Sequence, residues 1–115
     1  MTRFCLALDL KEDARLIAEY EAHHRQVWPS ILQSIRQSGI EELQIYRAGN
    51  RLFMIMEVNE SFNFEKKAAA DAASTDVQEW EKLMWDYQQA IPVARPGEKW
   101  VLMDKIFDLK ETAAQ

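Results

Sequence analysis

Two stretches of this chain lack a polar face. Phe53-Met54-Ile55-Met56 and Val101-Leu102-Met103 are apolar at every position, and in a strand successive side chains point to opposite sides. Such strands must be covered on both faces, which constrains the fold more than any single motif does. Residues 3–10 differ: Phe4, Leu6, Leu8 and Leu10 alternate with Cys5, Ala7 and Asp9. That period of two marks a strand with two distinct sides.

The rest of the order follows from breakers and periodicity. Residues 11–27 contain neither Gly nor Pro and are rich in helix formers, so they read as a helix. Trp28-Pro29 closes it, because the residue before proline is pushed out of the α region and proline suits a first helical turn. A second helix is predicted over 29–38, with Gly39 at its C-terminal cap. Residues 42–47 and 51–58 read as strands joined by Ala48-Gly49-Asn50. An alanine-rich helix over 61–73 follows. Thr75 and Gln78 have capping-box spacing and open a helix to about residue 89, with Val77, Trp80, Met84 and Tyr87 apolar. Residues 91–97 are a loop, a last strand is predicted over 99–109, and 110–115 is expected to fray.

This order condenses to an α+β, ferredoxin-like β-α-β-β-α-β pattern in a single domain over residues 1–115. Helices in that arrangement cover one face of the sheet only. A second copy of the chain is the economical cover for the other, so a homodimer with apposed sheets is expected.

Composition removes several classes of partner. A net charge of −5 and one adjacent Lys pair, Lys66-Lys67, give no basic stripe for nucleic acid. No stretch approaches the length of a membrane span. The apolar run Phe4 to Leu8 is too short for a signal-peptide core and meets Asp9 and Lys11 at once. A single cysteine, Cys5, permits no intramolecular disulfide. A cytoplasmic protein is expected.

The inventory for chemistry is short. The two histidines, His23 and His24, are adjacent, so on a helix they point about 100° apart and cannot serve one site. No Cys/His zinc spacing exists, and nothing in the carboxylate spacing marks a metal site. Gly39, Gly49 and Gly97 are too scattered for a phosphate loop. What remains is Tyr20, His24 and Trp28 at four-residue steps, on one helix face. A phenol and an imidazole there can exchange protons near neutral pH. Four tryptophans, Trp28, Trp80, Trp85 and Trp100, offer flat faces suited to the C–H faces of a sugar, an extension of aromatic packing geometry. The same residues also describe an ordinary core edge, with His23 a solvated surface residue.

The segment Tyr20-x-x-x-His24-x-x-Val27-Trp28-Pro29 resembles the signature of the L-rhamnose mutarotase family. The likeness continues through Gly39-Ile40, Tyr46, Leu52-Phe53, Glu57, Val77-Gln78-x-Trp80 and Met84. It implies a dimeric α+β barrel that interconverts the α and β anomers of a 6-deoxy-L-sugar, a small neutral substrate, without a cofactor. It further implies a proton-donor role at His24 and sugar contacts from Tyr20 and Trp80, with Trp28 and Glu81 beside them in the substrate pocket. Two departures stand out. Leu43 occupies a position where rhamnose-type members carry tyrosine, and Glu81 replaces the second tryptophan of a Trp-Trp pair. A carboxylate in the pocket wall changes which hydroxyls are recognised, which moves the expectation from L-rhamnose toward L-fucose. Mutarotation requires general acid–base catalysis, with His24 expected to protonate the ring oxygen and Tyr20 or Glu81 to handle the anomeric hydroxyl. A non-catalytic ligand-binding member of the dimeric barrel group and a cofactor-free monooxygenase on that scaffold are the competing expectations. The Tyr20–His24–Trp28-Pro29 spacing favours the mutarotase.

Overall fold

The period of two in residues 3–10 becomes the central strand of an antiparallel sheet. The structure, a computed structural model, describes residues 1–112. Its elements are β1 (Thr2–Leu10), α1 (Ala14–His24), α2 (Pro29–Gln37), β2 (Ile40–Ala48), β3 (Arg51–Val58), α3 (Phe64–Ala73), α4 (Thr75–Trp85), β4 (Gln88–Gln89), β5 (Val101–Leu102) and α5 (Leu109–Thr112). The sheet runs β2-β3-β1-β4, and β5 also pairs with β1. This is the expected ferredoxin-like α+β order, with the fourth strand delivered in two pieces. Gln88 pairs with Leu10, and Leu102 pairs with Leu6. Residues 90–100 loop out between them.

Caps set the helix boundaries. Asp13 accepts from the Leu16 N–H at 3.0 Å and opens α1, as an N-cap side chain should. The α4 cap is Ser74, one residue earlier than the expected Thr75, and its hydroxyl accepts from the Val77 N–H. Gln78 donates instead to the Asp71 carbonyl at 2.9 Å. Gly39 has φ +99°, and a Cβ there would lie 2.7 Å from Asn59 Oδ1, so glycine is needed on two counts.

The expected last strand is mostly absent. After Val101–Leu102, the Met103 N–H donates to the Cys5 carbonyl at 2.8 Å, and the chain leaves the edge. Residues 103–108 have the apolar content of a strand but no ladder within one protomer, and strand preference is a preference for a packed, pleated surface. Ile106 is 96% exposed and Phe107 68%. Lys105 and Asp108 close a local ion pair at 3.0 Å. Residues 109–112 form a helical turn that begins where the last strand was expected to end; of the tail expected to fray, 110–115, residues 113–115 lie outside the described residues.

One face of β1 takes all the packing from α1, α2 and α4. Leu10, Tyr20, Ile31, Leu52, Val77, Trp80, Met84 and Tyr87 form one cluster, and Leu6, Ile40, Met56 and Val58 a second. Leu8, Leu10 and Leu52 are fully buried, each stabilising the fold by about 1.5–3 kcal/mol. Trp100 packs against both clusters. The other face carries Ala7 beside Phe53, Phe53 beside Tyr46, and Cys5 beside Ile55. The two-sided apolar reading of β3 therefore corresponds to a real second face.

Candidate functional site

Between the helix layer and strands β2 and β3 lies a cleft of about 810 Å³, within the usual range for a small-ligand site. Tyr20 and His24 enter it from α1, Trp80 and Glu81 from α4, and Leu43 from β2. The i,i+4 spacing on α1 stacks the two rings obliquely, with centroids 4.4 Å apart. Trp80 meets His24 edge to face at 5.8 Å.

Trp28 departs from its expected place. It does not line the cleft but packs edge to face against Trp80 at 5.1 Å. Pro29 begins α2 directly after it, so the chain turns there and points the indole at the back of Trp80. Trp28 fixes the angle of a wall and is not itself the wall. His23, read as a surface residue, is half-buried and hydrogen-bonded to the Tyr87 hydroxyl at 3.2 Å.

Hydrogen bonds decide the protonation states of the central pair. His24 Nδ1 lies 2.9 Å from the Tyr20 carbonyl. A carbonyl can only accept, so Nδ1 carries the hydrogen and the neutral ring presents a bare lone pair at Nε2. Nε2 has no hydrogen-bond partner among the described residues and is not sealed from the cleft. Burial pushes the imidazole below its ordinary value of 6.5; the Tyr20 carbonyl offsets this in part, and charge on neighbouring His23 adds to it. Burial overrides the preference of a helix C-terminus for a cation. Tyr20 is 3% exposed, and burial raises its phenol above 10, with the Gln88 bond opposing. At neutral pH the cleft thus holds an unprotonated imidazole nitrogen beside a protonated phenol.

Several lining residues carry no signal in the sequence. Gln88 donates from Nε2 to the Tyr20 hydroxyl at 3.3 Å and is buried. In the sequence it falls inside the helix expected to run to about residue 89, but α4 ends at Trp85 and Gln88 belongs to β4, where pairing with Leu10 turns it inward. Lys67 and Asp71 bring an ion pair of 2.7 Å to the cleft from α3. Trp100 closes one wall, as the helix-facing neighbour of the broken fourth strand. Among the described residues no group of three His, Cys, Asp or Glu side chains is placed to hold a metal ion. Cys5 lies on the sheet face away from the cleft.

Comparison with known proteins gives a consistent result. A family model described as L-rhamnose mutarotase matches residues 3–109. The L-fucose mutarotase of Xanthomonas campestris pv. campestris is 48% identical over 116 residues, covering 99% of this chain and 93% of its own. The L-rhamnose mutarotase of Shigella flexneri is 30% identical over 99 residues, covering 84% of this chain and 88% of its own. Among solved structures, the L-rhamnose mutarotase of Formosa agariphila superposes with a TM-score of 0.70 at 21% identity, covering 94% of this chain and 98% of that one. At that identity it speaks for the fold.

Proposed function

The chain belongs to the L-rhamnose mutarotase family, and from that premise we propose that it interconverts the α and β anomers of L-fucose in preference to L-rhamnose. It is an isomerase of the mutarotase kind. The single observation that carries the mechanism is that His24, with Nδ1 held by the Tyr20 carbonyl and so with its lone pair on Nε2, lines the same cleft as Tyr20. L-Fucose is favoured by the 48% identity to an L-fucose mutarotase against 30% to an L-rhamnose mutarotase, and by Leu43 and Glu81 in the cleft wall.

Mutarotation starts when a base takes the proton of the anomeric hydroxyl and an acid protonates the ring oxygen. The C1–O5 bond breaks, the aldehyde turns about C1–C2, and the transfers reverse on its other face. His24 is the base for opening, because its cleft-facing nitrogen has a lone pair and no proton. Tyr20 supplies the proton to the ring oxygen. In ring closure His24 gives its proton back, and only in that half is it the donor that the family resemblance implies. Even in water, an imidazolium–phenolate pair lies about 5 kcal/mol above the neutral pair. Burial lowers the imidazole and raises the phenol in this cleft, which widens that gap, so simultaneous transfer of both protons is favoured over a long-lived ion pair. Trp80 and Glu81 serve as the sugar-facing wall, with Trp28 behind.

The same reading extends to assembly and location. The sheet face bearing Phe53, Ile55 and Tyr46, together with the exposed Met103, Ile106 and Phe107, supports a homodimer with that face apposed; no helix among the described residues is long and apolar enough to cross a membrane, and a cytoplasmic location is proposed. Sedimentation at micromolar concentration tests the dimer, and a monomer there counts against it. Saturation-transfer NMR on equilibrated L-fucose and L-rhamnose tests the activity. Wild-type protein should accelerate exchange of the L-fucose anomers more than those of L-rhamnose, and His24→Ala should abolish both; a His24→Ala protein that exchanges anomers at the wild-type rate removes the assignment.

A further inference from the structure

We infer that Gln88 is a positioning residue that aims the Tyr20 hydroxyl proton into the cleft, by donating its own amide hydrogen to the phenol oxygen from behind. The inference rests on the mutarotase reading and assigns a role to a residue that makes no proton transfer itself.

Gln88 sits on β4 opposite Leu10, on the sheet face that packs against the helices. Its neighbours in that layer are apolar, and burying an amide among them is costly unless it is hydrogen-bonded. At 6% exposure it is, among the described residues, one of two buried polar residues beside the core, the other being Asp9. Asp9 belongs to the opposite sheet face, where it pairs with Arg51 at 2.8 Å. The side-chain partner of Gln88 is the Tyr20 hydroxyl at 3.3 Å.

Direction is what matters. A phenol has one hydrogen and can accept as well as donate. With the Gln88 Nε2–H occupying an acceptor position, the Tyr20 hydrogen must point elsewhere, and among the described residues no hydrogen bond is found in which the Tyr20 hydroxyl donates. The cleft is the direction left. A general acid needs its proton presented to the substrate oxygen before reaction begins, because realignment would add to the barrier. The two-residue strand β4 holds Gln88 in place through its ladder to Leu10 and Asp9, so the donor comes from the sheet and not from a loose loop.

Two variants test this by anomer exchange on L-fucose. Gln88→Met keeps a similar volume and removes the donor; kcat should fall about tenfold, the scale of one neutral hydrogen bond, with KM little changed. Gln88→Glu replaces the donor with a carboxylate that accepts the phenol proton and turns it away from the cleft, so its loss of kcat should be larger at neutral pH. Its rate relative to wild type should then recover as pH falls, since a protonated carboxyl donates as the amide did. A packing role alone would not produce that pH-dependent ratio. Wild-type kcat in Gln88→Met, or a Gln88→Glu protein whose ratio to wild type is high and flat with pH, overturns the inference while leaving the mutarotase reading intact. Absence of exchange by the wild-type protein overturns both.

Discussion

Helix α1 carries two tyrosine–histidine associations on neighbouring residues, and they are completed in opposite ways. Tyr87 and Tyr20 lie edge to face, 6.2 Å between centroids. The Tyr87 hydroxyl donates to Glu19 at 3.1 Å and meets His23 Nε2 at 3.2 Å. The phenol hydrogen is committed to the carboxylate, so His23 must be the donor to Tyr87. Glu19 in turn receives Arg15 at 2.8 Å. The Tyr87 hydroxyl is thus filled on both sides by protein, and neither His23 nor Tyr87 lines the cleft. Tyr20 and His24 are fixed only from behind, by Gln88 and by a helix carbonyl, and each leaves one end toward the cleft. The same pair of residue types makes a structural clasp on one side of the helix and, on the other, the pair proposed for acid–base transfer. What separates them is place: Tyr20 and His24 line the cleft, and His23 and Tyr87 do not.

The difference can be broken by substitution. His24→Gln should reduce anomer exchange about 10²–10⁴-fold, the usual contribution of a positioned acid–base group, while His23→Gln leaves it within about twofold by the same NMR assay. An equal loss in both would erase the distinction. Tyr20→Phe should lower kcat by about 10²-fold and, by leaving the buried Gln88 amide without its partner, cost about 1–3 kcal/mol of stability as well. Tyr87→Phe keeps the activity and loses stability only, by about 1–2 kcal/mol for the broken hydroxyl bonds, or about 4–8 °C per kcal/mol in a calorimetric scan for a domain of this size.

The smallest effects come from pH. His24 acts in its neutral form, so kcat/KM should hold through neutrality and fall only as pH drops through its depressed value, below 6.5. Stability follows the same group. Between that folded value and 6.5 the unfolded chain binds the proton that the native site refuses, so stability declines as pH falls across the window and levels off beneath it. In His24→Gln that component of the pH dependence should disappear from denaturant titrations.

Periodicity was enough to place β1, β3 and the helices, because strand alternation and the Trp28-Pro29 break are local facts. The Tyr20–His24 pairing was legible for the same reason: residues four apart on a helix must share a face. Trp80 and Glu81 were reached through family likeness. Gln88 was not legible, since its inward turn depends on a ladder with Leu10, distant in sequence. Nor was the buttressing role of Trp28, which shares its helical phase with His24 until the chain bends at proline. The short β5 was overread because apolar content suggested a strand where one protomer provides only Leu6, Ala7 and Cys5 to pair with. The tautomer of His24, which fixes the sense of the first proton transfer, follows from a carbonyl position that no residue pattern records.

His24 is the final residue of α1, and its Nδ1–H rests on a carbonyl of that helix's own last turn. Helix ends are where backbone structure opens most readily. When that turn opens, the ring is freed to take up its hydrogen on either nitrogen and loses its orientation, though the sheet and core persist. The rate of anomer exchange is therefore a gauge of one turn of backbone, and on warming it should fade before the tryptophan signal of the core reports any melting.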